Sequence, residues 1–207
     1  KLEKIFSHYG SAIQTVIHCA AQPSHDWAAK EPFTDFTVNA NGTLHLLEMS
    51  RKYCPQTVFI FTSTNKVYGE NVDKIPLKEL EKRYVYDGIK GVSEEMCTDL
   101  TGHTPYGVSK LAGDLYTQEY SYIYKMKTAV FRMSCTYGTR QFGFEDQGWV
   151  AWFIIATLFN KPITIYGNGK QVRDMLYVDD LVDAFDRFIN SDLKRGLFNI
   201  GGGPNNT

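Results

Sequence analysis

Tyr106 and Lys110 stand four residues apart in the segment Tyr106-Gly-Val-Ser-Lys110. On a helix, positions i and i+4 share a face, so the phenol and the ammonium would lie side by side. A cation beside a phenol stabilises the phenolate and brings its pKa from about 10 toward neutrality, which makes a usable general base. A lone YxxxK pair is common on helix surfaces and says little by itself. A second group of oxygens raises its weight. The segment Phe59-Ile-Phe-Thr-Ser-Thr-Asn-Lys-Val-Tyr-Gly69 ends an apolar run in hydroxyls. In doubly wound sheets, ligands sit beyond the carboxyl ends of strands, so Ser63 and Thr64 would face a site. The same hydroxyls could instead satisfy backbone groups in a turn.

These groups need a scaffold, and the sequence describes one. Residues 13–19 are short, β-branched and followed by small residues, as in a buried strand of a parallel sheet. Pro32 opens a helical stretch to position 53, with Phe36, Leu44, Leu47 and Met49 on its apolar face. Residues 57–62 form the next strand. Residues 70–104, charged and with little periodicity, read as a long excursion of the functional or mobile kind. Helical spacing resumes over 106–124, and 128–132 follow as a strand. This alternation predicts an α/β fold with a doubly wound parallel sheet. Beyond Tyr137 the pattern predicts a loop (138–148), a buried apolar helix (149–159), a strand (163–166), a turn at Gly167-Asn-Gly169, a helix capped by Asp179 or Asp180, and a last strand (197–200). The expected division is a doubly wound core over 1–137 and a substrate-facing part over 138–207, interleaved with the core.

Composition excludes several classes. The chain has 207 residues, 43% hydrophobic and 22% charged, which argues for an ordered domain. Its 22 Lys+Arg balance 23 Asp+Glu without a basic block, so a nucleic-acid partner is not expected. The longest apolar run is well short of the ~20 residues of a membrane span. Four cysteines more than thirty residues apart match neither a zinc pattern nor a disulfide framework, and the five histidines form no ligand pair. A reducing, cytoplasmic setting without metal is the expectation.

His18-Cys-Ala-Ala21, Asn39-Ala-Asn-Gly-Thr43, Ser63-Thr-Asn-Lys-Val-Tyr-Gly69, His103-Thr-Pro-Tyr-Gly-Val-Ser-Lys110, Phe131-Arg132 with Tyr137-Gly138, and Gly167-Asn-Gly-Lys-Gln-Val-Arg-Asp174 occur in that order. Together they resemble the extended short-chain dehydrogenase/reductase family of nucleotide-sugar epimerases and dehydratases. The resemblance implies bound NAD, a nucleotide-diphosphate sugar as substrate, and subunits paired through helices matching 32–53 and 106–124. It makes Tyr106 the catalytic base. Lys110 becomes the residue that binds the nicotinamide ribose and lowers the phenol pKa, and Thr64 the hydroxyl that holds the sugar oxygen. Ala20, Ala21, Asn39 and Thr62 match positions along the cofactor, although the alanines serve close packing equally well. Arg173 matches the arginine on the diphosphate, for which its planar fork is suited; a salt bridge to Asp174 or Asp179 is the alternative. A narrower likeness, to members that act on CDP-linked sugars, adds Gln22, His25, Arg140 and Gln141 as substrate contacts. In the family's dehydratases, acids follow the catalytic threonine; here those positions are Asn65 and Lys66.

The sequence also departs from the family. No Gly-x-x-Gly-x-x-Gly precedes the first strand, and the acidic residue expected about 20 positions later is absent as well. Gly201-Gly-Gly203 follows the last strand and cannot take that part. The chain does not begin with Met. It is therefore expected to be a portion of a longer polypeptide, without the opening βαβ half.

Overall fold

The computed structural model describes residues 1–203. In chain order the elements are α1 (Leu2–Tyr9), β1 (Thr15–His18), α2 (His25–Lys30), α3 (Pro32–Phe36), α4 (Gly42–Tyr53), β2 (Val58–Thr64), β3 (Leu77–Glu79), β4 (Tyr84–Tyr86), α5 (Pro105–Tyr124), β5 (Lys127–Met133), β6 (Cys135–Tyr137), α6 (Trp149–Leu158), β7 (Met175–Tyr177), α7 (Val178–Ile189) and β8 (Arg195–Ile200). Strands β1, β2, β5 and β8 form one sheet in that order, every neighbour parallel. Parallel pairing demands crossovers, and the helices that supply them cover both faces.

Strand β2 shows how the layers are built. Successive side chains of a strand point to opposite faces. Val58 and Ile60 pack with Ala129 and Phe131 against Leu181, Phe185 and Phe188 of α7. Phe59 and Phe61 pack with Leu47 of α4 and Tyr120 of α5 on the other face. Because both faces are covered, β2 reads as an unbroken apolar run and is buried from Val58 to Ser63. Helix α5 lies close to this sheet because of its glycines: a Cβ at Gly113 would meet the Phe61 ring at 2.8 Å.

The stretch 32–53 is helical throughout, but with a π-type turn over Thr37–Asn41 between α3 and α4. Residues 70–104 are largely irregular and contain an antiparallel hairpin, β3–β4, which the sequence did not signal. Strands β6 and β7 form a separate parallel pair.

Three expectations need correction. Residues 163–166 form no strand; they find no partner edge, and Ile165 and Tyr166 are 65% and 76% exposed. Helix α6 is present, but Ala156 is its one buried residue among those described, since the four-stranded sheet packs against α4, α5 and α7 instead. Helix α7 begins after Tyr177 with no side-chain cap, and Asp179 and Asp180 lie inside its first turn, where their charge complements the helix dipole.

Candidate active site

The site forms where β2 ends and α5 begins. Thr104 caps α5, its hydroxyl accepting from Gly107 N at 3.3 Å. Pro105 supplies the first turn, where a missing N–H costs nothing. Gly107 lets this turn approach the chain after β2, since a Cβ there would stand 3.0 Å from the Lys66 carbonyl. Tyr106 is thereby brought beside Thr64, whose hydroxyl pulls the phenol pKa down. The His25 ring packs edge-on against the Tyr106 ring, centroids 4.7 Å apart, and its Nδ1 lies 2.9 Å from the Thr104 hydroxyl. Burial, then the nearby Lys66 ammonium, hold the His25 pKa below its ordinary value, so the ring is neutral at pH 7.

Lys110 is 3% exposed. Its Nζ donates to the Thr62 carbonyl at 2.6 Å and lies 4.2 Å from the centre of the Phe61 ring. Burial lowers its pKa to about 8, although Asp114, Cys19 and Asp35 act in the opposite direction. The expected effect of Lys110 on the phenol is not found. Burial raises the Tyr106 pKa, and the group that lowers it is Thr64. The two residues share a helix face as predicted, but the ammonium is drawn to the strand carbonyl and not to its neighbour's oxygen.

Asn39 and Gln22 belong to one buried network. Asn39 accepts from Gln22 N at 2.8 Å and donates to the Gln22 carbonyl, to Asp35 and to Ser109, each at 3.0 Å. The Gln22 amide nitrogen donates to Asp35 and to the Ser24 carbonyl. Both side chains thus shape the loop after β1 from below, and the π-type turn is what presents Asn39 to it. Ala20 is exposed and Ala21 half-buried at the head of that loop. Thr62 is buried, its hydroxyl donating to the His18 carbonyl at 3.0 Å.

A cleft of about 290 Å³ opens beyond the end of β5, lined among others by Ser134, Thr136, Gln141, Asp146, Gln147 and Trp149. Four polar atoms in it, Ser134 Oγ, Thr136 Oγ1, Gln141 Oε1 and Trp149 Nε1, are buried without a hydrogen-bond partner. Buried polar atoms are normally paired, so the residues around this cleft retain unused hydrogen-bonding capacity. The cleft is linked to the catalytic group: Gln147 donates to the Pro23 carbonyl at 2.9 Å, and the Asp146 charge acts on His25. Ser134, Thr136 and Trp149 were missed in the sequence. The strand-end rule that singled out Ser63 and Thr64 would have found the first two had it been applied to β5.

Arg140 and Arg173 are both exposed. The Arg173 guanidinium donates only to the carbonyl of Val172, at 3.0 Å, among the described residues. The pairing with Asp174 or Asp179 is absent, and the Asp174 carboxylate instead accepts from Gly202 N at 2.7 Å. The structure brings together Tyr106, Thr64 and His25, with Lys110 beneath them, and leaves both arginines outside that group. No cluster of metal-binding side chains occurs among the described residues, and no helix there is long and apolar enough to cross a membrane.

NAD fits this arrangement. The alanines at the end of β1 leave room beside the strand ends, the Tyr106 phenol and the Lys110 ammonium are donors suited to a ribose, and the unpaired Ser134 hydroxyl lies at the next strand end.

Comparison with known proteins agrees with the geometry. A CDP-paratose 2-epimerase of Salmonella typhi is 44% identical over 89% of this chain and 56% of its own length. A protein described as a putative UDP-glucose 4-epimerase of Methanocaldococcus jannaschii is 32% identical over 92% of the chain and 56% of its own. Among solved structures, the UDP-glucose 4-epimerase of Thermus thermophilus in complex with NAD superposes with a TM-score of 0.78 at 30% identity, covering 97% of this chain and 59% of that one. The chain thus spans little more than half the length of these relatives. The family described as NAD dependent epimerase/dehydratase matches residues 1–201. With its parallel sheet, its tyrosine and lysine on α5 and its threonine at the end of β2, the chain belongs to the NAD dependent epimerase/dehydratase family.

Proposed function

We propose that this protein inverts C2 of a CDP-3,6-dideoxyhexose, converting CDP-paratose to CDP-tyvelose through a transient 2-keto sugar. NAD, when bound, supplies the reversible two-electron oxidation of the sugar carbon, held by Tyr106 and Lys110 with Ala20, Ala21 and Thr62 along it. Tyr106 takes the proton of the C2 hydroxyl and later returns it. Thr64 fixes the phenol and is placed to hold the same sugar oxygen. His25, packed edge-on against the phenol ring, is placed to contact the substrate beside it. Gln141 borders the sugar through the cleft, while Arg140 and Arg173 meet the diphosphate as charged, bidentate donors.

The observation that carries this reading against a dehydratase is the pair that follows Thr64. Elimination of water needs an acid and a base at the sugar in addition to the tyrosine. Asn65 is an amide that exchanges no proton near neutral pH, and Lys66 is a poor base. The 44% identity to a CDP-paratose 2-epimerase supports the choice of carbon and nucleotide. The test incubates full-length protein with CDP-paratose and, separately, CDP-glucose in deuterated water. A C2-inverted product without solvent deuterium at C2 is expected. A 4-keto-6-deoxy sugar would make the protein a dehydratase, a C4-inverted product a 4-epimerase, and no turnover with NAD bound a non-catalytic binding protein.

The functional unit is proposed to be a homodimer through α4 and α5. Apolar side chains beside and on these helices, among them Leu115 at 53% and Tyr116 at 44%, are exposed. Light scattering should give twice the chain mass, and a monomer mass would refute the pairing.

A further inference from the structure

We propose that the β3–β4 hairpin is a latch that holds the loop carrying Arg173 in position, with Tyr84, Asn168 and Lys170 as positioning residues. The inference deepens the reading above, in which Arg173 meets the diphosphate. The excursion that contains the hairpin leaves β2 directly after Thr64 and returns directly before the α5 cap at Thr104. Its root is fixed to the sheet: Glu94 accepts from Asn199 N of β8 at 2.6 Å, and the Asn199 amide donates to the Val92 carbonyl at 2.9 Å. A hairpin of three residues per strand is too short to be stable alone. It is held by what it touches. Tyr84 N donates to the Lys170 carbonyl at 3.0 Å, Asn168 Nδ2 donates to the Tyr84 hydroxyl at 2.7 Å, and Lys170 Nζ donates to Glu79 at 2.6 Å and to the Leu80 carbonyl at 3.3 Å.

All four bonds fall on residues 168–170, just before Arg173. Among the described residues, the hydrogen bonds that leave 162–173 end on this hairpin; the others, such as Gln171 to the Tyr166 carbonyl, stay within the loop. Without the latch, a loop with no strand partner would carry the guanidinium through many positions, and ordering it would reduce the affinity for the diphosphate. With the latch, the position of Arg173 is referred through the excursion to Thr64 and Tyr106. Lys170 is a cation on the same loop, but its ammonium is already bound by a carboxylate and a carbonyl, which assigns it to positioning and not to the ligand.

The experiment uses full-length protein and CDP as the probe, with calorimetric affinity and amide exchange of 167–172 as readouts. Glu79→Ala and Lys170→Ala should each weaken CDP about two- to fivefold, the range of an exposed ion pair, and speed exchange in the loop. The swapped pair, Glu79→Lys with Lys170→Glu, should restore both. Unchanged exchange in Glu79→Ala overturns the latch, as does tighter CDP binding in that variant, which would make Lys170 a ligand freed from its partner. Arg173→Ala tests the underlying assignment separately. A large loss of CDP affinity supports that assignment, and no loss refutes it while the exchange data still decide the latch.

Discussion

Replacing Lys110 with methionine should make the fold more stable while removing its activity. Lys110 is buried, and its pKa has fallen from 10.5 to about 8. Holding that ammonium protonated at pH 7 costs about 3 kcal/mol, at about 1.4 kcal/mol for each pKa step. Methionine fills similar space without a charge. It also leaves the Thr62 carbonyl without its 2.6 Å donor, a loss of about 1–2 kcal/mol. The balance at pH 7 is a gain of about 1–2 kcal/mol for Lys110→Met. The pH dependence fixes the sign independently. The folded pKa lies below the unfolded value, so the unfolded chain binds the extra proton between them. The cost is therefore complete below about pH 8 and is relieved as the pH rises toward the unfolded value of 10.5. Urea unfolding of ligand-free full-length protein at pH 7 and pH 10 tests both statements. The variant should lead at pH 7 and lose that lead at pH 10. A variant clearly less stable than wild type at pH 7, or two curves parallel in pH, would refute the assignment of a strained ammonium.

Tyr106→Phe removes one oxygen and should lower turnover by about 10²–10⁴-fold, the contribution of a positioned general base. Circular dichroism should show an unchanged fold, and near-wild-type turnover would contradict the assignment. Thr64→Val removes the hydroxyl that pulls the phenol pKa down, so the rising limb of the pH–rate profile should move to higher pH; an unmoved limb would count against it. Asp114→Asn breaks a buried ion pair, since the Asp114 carboxylate accepts from Arg132 Nε at 3.0 Å with the two side chains 0% and 4% exposed. The expected loss is about 3–5 kcal/mol in urea unfolding, because the Arg132 charge stays buried without its partner. A loss below 1 kcal/mol, about the value of a surface pair, would refute that placement.

Strands β2 and β5 were legible in the sequence because they are covered on both faces, which leaves an apolar run that needs no alternation to be seen. Helix α5 was legible from its spacing, although it begins one residue earlier, at Pro105. What failed depends on partners distant in sequence. Residues 163–166 have the composition of a strand, yet composition does not supply an edge to pair with. The three-residue strands β6 and β7 have an edge but are too short to leave a pattern. Asn39 was identified by resemblance as a residue lining the cofactor, but its bonds to Gln22, Asp35 and Ser109 depend on a π-type turn that no local signal predicts. The unpaired oxygens of Ser134 and Thr136 are visible only once the cleft around them exists.

The Tyr106–Lys110 spacing illustrates the same division. Helical geometry fixes which face a side chain leaves from, but not where a long, flexible one ends. Lys110 ends on the Thr62 carbonyl, Asp114 accepts from Ser63 Oγ at 2.7 Å, and Tyr106 meets the Thr64 hydroxyl. Three consecutive residues of β2 thus engage three residues of α5 spaced one helical turn apart, in the order 110, 114 and 106. The Thr62 hydroxyl already donates to the His18 carbonyl, so main chain serves at Thr62 where side chains serve at Ser63 and Thr64. A slip of one residue in β2 would redirect all three contacts at once. The position of the phenol therefore depends on the register of β2 against α5, held by the Phe61–Gly113 contact and the Ser63–Asp114 bond, while the buried Asp114–Arg132 pair ties α5 to β5. The spacing within the helix sets only which residues can take part.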